Sequence, residues 1–383
     1  MRKRHWWLVA FATLVLASAI ALSPMGRAEP PPAFAQPRVA AAWPADSSRA
    51  QDFRALALRR AKVWHSSDAA AADFASNPPD PAGTLSEPIV RCRFLSKAAH
   101  GTTPKFDCVL PDGEIVKVKY GHTGEIHAEI AASRLLSALG FGADRMFVVP
   151  RVRCYGCPRF PFYVVWALDL VHARAFATRH FTDDRYTDFE WAAVERRFKG
   201  ADIEVDDAKG WAWWELDQVD PSVGASRAEL DALRVMAMFL AHWDNKASNQ
   251  RLVCLAAASR PEPCPQAFAI IQDLGATFGP NKVDLQEWRK TPIWTDQSRC
   301  TMSMRKLPYH GGTFGDVQIT EAGRQLIARQ LGALNDRQIV ALFSTARFRE
   351  FFGGAGPDAD VNAWAQAFRD KVRQITAAGP CPS

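Results

Sequence analysis

The chain of 383 residues carries 47 basic and 41 acidic side chains, a formal net charge of +6, and its composition is 48% hydrophobic. That is ample for one large or two lobed domains, and it excludes a low-complexity or disordered polypeptide. Residues 1–28 hold four of the basic groups and none of the acidic ones, so the remainder has 43 basic against 41 acidic groups and its charge gives a nucleic-acid role no support.

Arg2, Lys3 and Arg4 precede an apolar run from Trp6 to Leu22, with small residues around Gly26-Arg27-Ala28. This is the pattern of a secretory signal peptide or an uncleaved membrane anchor. A run of about 17 apolar residues sits at the lower limit for spanning, so cleavage and an N-terminal membrane tether both stay open. Export implies an oxidising compartment, and the cysteines number an even eight. Cys92 and Cys108 bracket one loop and Cys254 and Cys264 a Pro-rich turn, so each pair is expected to staple a hairpin. Cys154 and Cys157 form a C-x-x-C, read as a structural disulfide because a lone pair lacks the further ligands a zinc site needs. Cys300 and Cys381 are then left to pair.

Residues 29–88 are rich in Ala, Pro, Ser and Asp and read as a linker with one amphipathic helix around 48–65. From Ile89 to Tyr120, IVRCRFL, KFDCVL and EIVKVKY read as three antiparallel strands, the last two joined by a turn at Pro111 to Gly113. The loop between the first two contains Gly101, Thr102, Thr103 and Lys105, whose amides, hydroxyls and ammonium suit phosphate oxygens. On the third strand Ile115, Lys117 and Lys119 share a face. Lysines facing inward need an anion, and Lys119 is the candidate phosphate ligand, with Lys117 as alternate.

A helix is expected from Gly124 to Leu139, with Thr123 as N-cap and Gly140 as its stop. Glu125 complements the helix dipole in the first turn, whereas Glu129 has no such role and is the expected partner of Lys119. Met146 to Val152 and Phe160 to Leu170 read as two more strands, completing a five-stranded first domain over 89–170. The second domain, 171–383, begins with an acidic, Trp-rich insertion over 175–225, whose Trp211, Trp213 and Trp214 are expected to pack inside. A capping box at Ser226-Arg227-Ala228-Glu229 then opens an apolar helix.

That helix leads to HWDNKASN, His242 to Asn249, and an apolar strand follows that ends in Asp273-Leu274-Gly275. Phosphoryl transfer needs hard oxygen ligands for magnesium and one carboxylate aimed at the attacking hydroxyl. Asp244 is the candidate general base, Asn249 and Asp273 the candidate ligands of Mg2+ or Mn2+, and Lys246 a positive charge near the phosphoryl group. His242 is expected to be a buried structural histidine.

Over 89–348 these motifs resemble the protein-kinase-like superfamily, and are most similar to its atypical HipA-like and Golgi secretory-pathway kinases. GTTPKF is similar to the HipA-like phosphate loop; VKYG and HAEIAASRLLSALGF resemble its strand lysine and glutamate-bearing helix. The resemblance implies an α+β, two-lobed protein-kinase-like fold, with a small antiparallel-sheet N-lobe and a mainly helical C-lobe. It implies ATP as donor, bound through Lys119, Glu129, Gly101, Thr102, Thr103 and Lys105, and a hydroxyl acceptor on a protein or glycan. The alternative is a secreted pseudokinase that binds a nucleotide or partner as a scaffold. A glycine-rich loop of the ordinary kinase type is absent, and so is the Arg that often reads a phosphorylated activation segment.

Overall fold

The computed structural model describes residues 30–38, 47–98, 100–205, 209–255, 264–280, 282–309 and 314–382. The expected signal peptide or anchor over 1–28 lies outside them. Among the described residues no helix is long and apolar enough to cross a membrane. The protein is a mixture of strands and helices in two compact units, one of Met1–Val39, Pro79–His122 and Phe147–Arg196, the other of Ala40–Pro78, Thr123–Met146 and Arg197–Ser383.

In the first unit β1 (Ile89–Leu95), β2 (Lys105–Val109), β3 (Ile115–Lys119), β4 (Arg145–Tyr155) and β5 (Tyr186–Arg196) close into a barrel in the order β1-β2-β3-β5-β4. The β1–β2, β2–β3 and β3–β5 pairs are antiparallel, but β1 and β4 run parallel. The sequence predicts a purely antiparallel sheet, so the parallel closure is a correction. Alternation along the strands sends Val90, Phe106, Val116, Val118, Val152 and Val194 into a common core with Cys92, Cys108 and Cys154.

The fifth strand is also not the expected one. Residues 161–170 form the helix Pro161–Leu170, with its proline in the first turn, where the missing N–H has no helical partner to lose. Val164, Val165 and Leu168 are buried while Tyr163, Trp166 and Leu170 are exposed, a helical period that overrides the strand propensity of aromatic and β-branched residues. The strand that completes the barrel lies in the supposed insertion, so residues 171–196 belong with the first unit and not with the second.

The second unit holds the helix Ser47–Arg59, shorter than the expected 48–65, and the helix Gly124–Ala138. Thr123 takes the N-cap backbone position without a side-chain cap bond. Gly140 ends the helix at φ +87°, and a Cβ there would lie 2.1 Å from the His65 carbonyl oxygen, so only glycine fits. β6 (Ala201–Asp202), β7 (Gln250–Cys254) and β8 (Ala267–Ile271) make a three-stranded sheet in sequence order. Helices Arg227–Phe239, Glu321–Gly332, Asp336–Thr345 and Val361–Ala377 contribute to an aromatic core. Phe278 stacks on Trp288 at 4.4 Å, and Phe239–Phe368 and Phe348–Trp364 meet edge to face at 4.9 Å. Trp211 and Trp213 pack edge to face at 5.1 Å, whereas Trp214 is 66% exposed, against expectation.

The disulfides are Cys92–Cys108, Cys154–Cys157, Cys254–Cys264 and Cys300–Cys381, the four pairs the sequence suggests. They are compatible with an exported chain in an oxidising compartment.

Candidate active site

The helix Arg227–Phe239 opens with the expected capping box: the Ser226 hydroxyl accepts from the Glu229 N–H, and the Glu229 carboxylate accepts from the Ser226 N–H. At its other end Ala241, at φ +49°, turns the chain into the loop that begins at His242. Two backbone bonds clip this turn to the segment after β8: Trp243 N–H donates to Ala276 O at 3.0 Å and Phe278 N–H to Leu240 O at 2.7 Å. Asn245, fully buried, donates from Nδ2 to the His242 carbonyl at 2.7 Å and so closes the loop from within.

Asp244 is gripped from two sides. Lys246 Nζ lies 3.1 and 2.9 Å from its two carboxylate oxygens, and Asn249 Nδ2 donates to its backbone carbonyl at 2.7 Å and to Oδ2 at 3.2 Å. This commits the amide N of Asn249 to Asp244 and turns its Oδ1 away, free to face a cation. β7 starts at Gln250, which pairs with Ile271 of β8, and Gln272 N–H donates to Asn249 O at 3.2 Å. The hairpin register therefore places Asn249 opposite Gln272, with Asp273 next along the chain.

Asp273 is exposed and takes φ +54°, a conformation rare outside glycine, Asn and Asp. Its carboxylate has no hydrogen bond or ion pair among the described residues. Gly275, two residues on, packs closely: a Cβ there would meet Glu125 Cβ at 3.0 Å and Glu125 O at 3.1 Å. An amide oxygen and a carboxylate on one rigid hairpin end are hard donors that suit Mg2+ or Mn2+, which keep much of their water.

His242 is fully buried, and neither ring nitrogen has a hydrogen-bond partner. Burial pushes its pKa down to about 4, against the weaker opposing pull of Asp273 and Asp244. The ring is neutral at physiological pH and acts as packing under the loop.

Three residues of this loop's support escaped the sequence reading. Asn245 and the 242–249 turn stand on Gly210, at φ +67°, where a Cβ would lie 2.1 Å from Ala247 O and 2.2 Å from Gln250 O. Arg251 on β7 holds the hairpin from below, with Nη1 3.0 Å from Asp144 and Nη2 2.6 Å from Asp202.

In the first unit the strand register sets two of the predicted phosphate-binding residues, Lys105 and Lys119, side by side with the alternate Lys117 on the same barrel face. Lys105 faces Lys119 across β2–β3, Asp107 faces Lys117, and Lys117 faces Glu195 across β3–β5. Glu195, the other residue that the sequence did not reveal, is buried and lies 2.5 Å from Lys117 Nζ and 3.2 Å from Lys119 Nζ. Burial alone would raise its carboxyl, but the two ammonium groups outweigh that and hold it well below the usual carboxylate range. Lys119 is 3% exposed, so an inward lysine does meet an anion, and within this unit that anion is Glu195. Glu129, the expected partner, is buried on the helix Gly124–Ala138 of the second unit. Gly101 takes φ +77°, with Lys105 Nζ 3.1 Å from where its Cβ would be; Thr103 is buried and Thr102 exposed. A cavity of about 290 Å³ opens here, lined by Lys97, His100, Lys105, Asp107 and Lys117 with Phe94. The face carries four lysines against two carboxylates, the balance that suits a polyanion.

The chain matches no described protein family and no curated protein. Among solved structures it is similar to a Helicobacter pylori proinflammatory kinase, CtkA, at 11% identity and a TM-score of 0.40, over 75% of this chain and 93% of that one.

Proposed function

We propose that this chain is an exported, atypical protein-kinase-like phosphotransferase, which moves the terminal phosphoryl group of ATP to a hydroxyl of a protein or glycan. The barrel unit corresponds to the small lobe of such a fold and the helical unit to the large one. The observation that carries the reading is the hairpin end. One register fixes Asn249 beside the strand that delivers Asp273, and Asn249 in turn orients Asp244.

In this reading Asp244 accepts the acceptor hydroxyl's proton, while Asn249 Oδ1 and the Asp273 carboxylate hold Mg2+ or Mn2+. The cation, when bound, offsets charge on the phosphoryl oxygens. Lys246 leaves Asp244 for the transferring group, a short swing for a side chain that is 51% exposed. Lys119, positioned by Glu195, takes nucleotide phosphates together with Gly101, Thr102, Thr103 and Lys105.

The test is thermal unfolding with ATP and magnesium or manganese. At a hundredfold excess over the dissociation constant a ligand of the folded state adds about 2.7 kcal/mol. The gain should vanish in Asp273→Ala, and an undiminished gain in that variant would refute the site. One observation favours the alternative, a nucleotide-binding pseudokinase scaffold: Lys246 already occupies both oxygens of Asp244. Asp244→Asn separates the two, since it should abolish ATP turnover and keep binding in the enzyme, whereas a scaffold has no turnover to lose.

A further inference from the structure

Apart from Asp169, every residue of the helix Pro161–Leu170 is apolar or aromatic, a composition that belongs to a helix covered on all sides. The protein covers only part of it. Val164, Val165 and Leu168 are buried, and Ala173, Ala177 and Phe181 pack against Val164 and Leu168. Phe160, Tyr163, Trp166 and Leu170 follow one another at three or four residues, so they share a face, and each is between 43% and 47% exposed. Phe176, on the next helix Arg174–Ala177, is 68% exposed. A contiguous group of large apolar side chains left at the surface marks a place where something docks.

Residue type and charge identify the occupant. Trp and Tyr, with an apolar body and a polar tip, prefer the headgroup level of a bilayer. Residues 159–179 carry three arginines, Arg159, Arg174 and Arg179, against one acidic group, Asp169, which Arg174 Nε meets at 3.0 Å. Arg159 holds its guanidinium over the Phe160 ring at 5.5 Å, at the end of the aromatic stripe. A positive border of this kind attracts anionic lipid. The chain also brings a bilayer within reach of this unit. Its segment 30–38 is fastened to the same unit, Ala35 N–H donating to Pro111 O at 3.0 Å and Arg38 N–H to Gly113 O at 2.8 Å. From Leu22, where the apolar run of the sequence ends, to Pro30 is eight residues, at most about 28 Å of chain.

We infer that the stripe of Phe160, Tyr163, Trp166 and Leu170 seats the barrel unit on an anionic lipid surface, that of the bilayer to which the run over 6–22 directs the chain. Retained as a tether, that run makes docking intramolecular, so a small patch is enough to hold the unit down. The tether alone leaves the unit free to turn, and the stripe fixes which face meets the lipid. None of these side chains belongs to the candidate active site, so the inference stands apart from the phosphotransferase reading.

The experiment is spin labelling of the full chain, reconstituted in phosphatidylcholine vesicles with and without phosphatidylglycerol. The native cysteines are all in disulfides, so a nitroxide can be placed singly through Tyr163→Cys, Trp166→Cys or Phe176→Cys, with the exposed Trp214→Cys of the second unit as control. In anionic vesicles the labels at 163, 166 and 176 should relax faster with oxygen than with a nickel chelate, the mark of an apolar boundary, while the label at 214 stays open to nickel. Arg159→Gln should lower the docked-to-free ratio of the label at 166 about fivefold in anionic vesicles, the share of one arginine at such a surface, and leave it unchanged in neutral ones. Labels at 163, 166 and 176 as open to nickel as the one at 214 would overturn the inference. Equal docking on neutral and anionic vesicles would overturn it as well. So would labels that are shielded and dipolar-broadened in detergent solution, because a second copy of the chain would then cover the stripe.

Discussion

Replacing Glu195 tests whether a buried carboxylate sets the position of Lys119. Its two ion pairs differ in worth. Lys117 is 36% exposed and can turn to water, so its pair contributes at most about 1 kcal/mol. Lys119 is 3% exposed, and removing one member of a buried ion pair costs about 3–5 kcal/mol. Glu195→Ala should therefore lower unfolding stability by about 3–5 kcal/mol, read as a shift of the urea midpoint without added reductant. Adding Lys119→Met removes the ammonium that Glu195 faces and should recover part of that loss.

The effect also has a pH signature. The carboxyl is held below its ordinary value of 4.5, so its contribution is complete above pH 4.5 and is lost as pH falls through the depressed folded-state value. The gap between the wild type and Glu195→Gln should be constant near neutrality and close in acid. A Glu195→Ala cost under about 1 kcal/mol, or a double variant no better than the single one, would refute the reasoning.

Three further substitutions probe the second unit and the loop. Gly210→Ala should lose the metal-dependent nucleotide shift, because its methyl would press on Ala247 O and Gln250 O; the control Gly83→Ala, at φ +72° with open space around it, should cost about 1–3 kcal/mol of strain and keep the shift. Asp231 is fully buried and accepts from Arg227, Arg234 and both the N–H and hydroxyl of Thr320, so Asp231→Ala should cost about 3 kcal/mol in a urea titration, and a change under about 1 kcal/mol would contradict that role. Burial lowers the Lys371 pKa from 10.5 to about 8, a penalty on the charged form of about 3 kcal/mol. Wild-type stability should thus rise between pH 8 and 10.5, and Lys371→Met should stabilise at pH 7 by an amount that fades over the same interval.

The loop over 242–249 stands out in the sequence because its polar residues fall within eight consecutive positions, whereas its structural support does not. Gly210 and Asn245 act through backbone contacts that carry no residue pattern. The disulfide pairs were legible where a short loop or a C-x-x-C joined them, and Cys300–Cys381 only by remainder. β5 was missed for a local reason: Trp191 takes φ +51° in mid-strand, which breaks the two-residue period and leaves DFEWAAVER looking like a charged surface segment. Glu195 went with it. The parallel β1–β4 pairing joins strands far apart in sequence, and nothing in either strand announces its partner. In 161–170 aromatic and β-branched residues concealed a helical period that became visible only once burial was known.

The β7–β8 hairpin fixes the geometry of the candidate residues at its end. Every residue of both strands is buried, so a one-residue slip would turn each side chain to the wrong face, and the register is strongly fixed. Arg251 reinforces it through Asp144 and Asp202, and the Cys254–Cys264 bond closes the hairpin at one end. Asn249 and Asp273 occupy the other end, where the buried strands stop and the backbone turns outward. The disulfide acts by limiting the freedom of the unfolded chain and touches neither residue. Its removal should therefore lower stability while leaving the geometry of the folded site as it is. Breaking the Arg251 bridges, in contrast, loosens the strand that carries Asn249. Arg251→Met should accordingly weaken metal-dependent nucleotide binding at temperatures where the protein is still folded, and Cys254→Ser with Cys264→Ser should not.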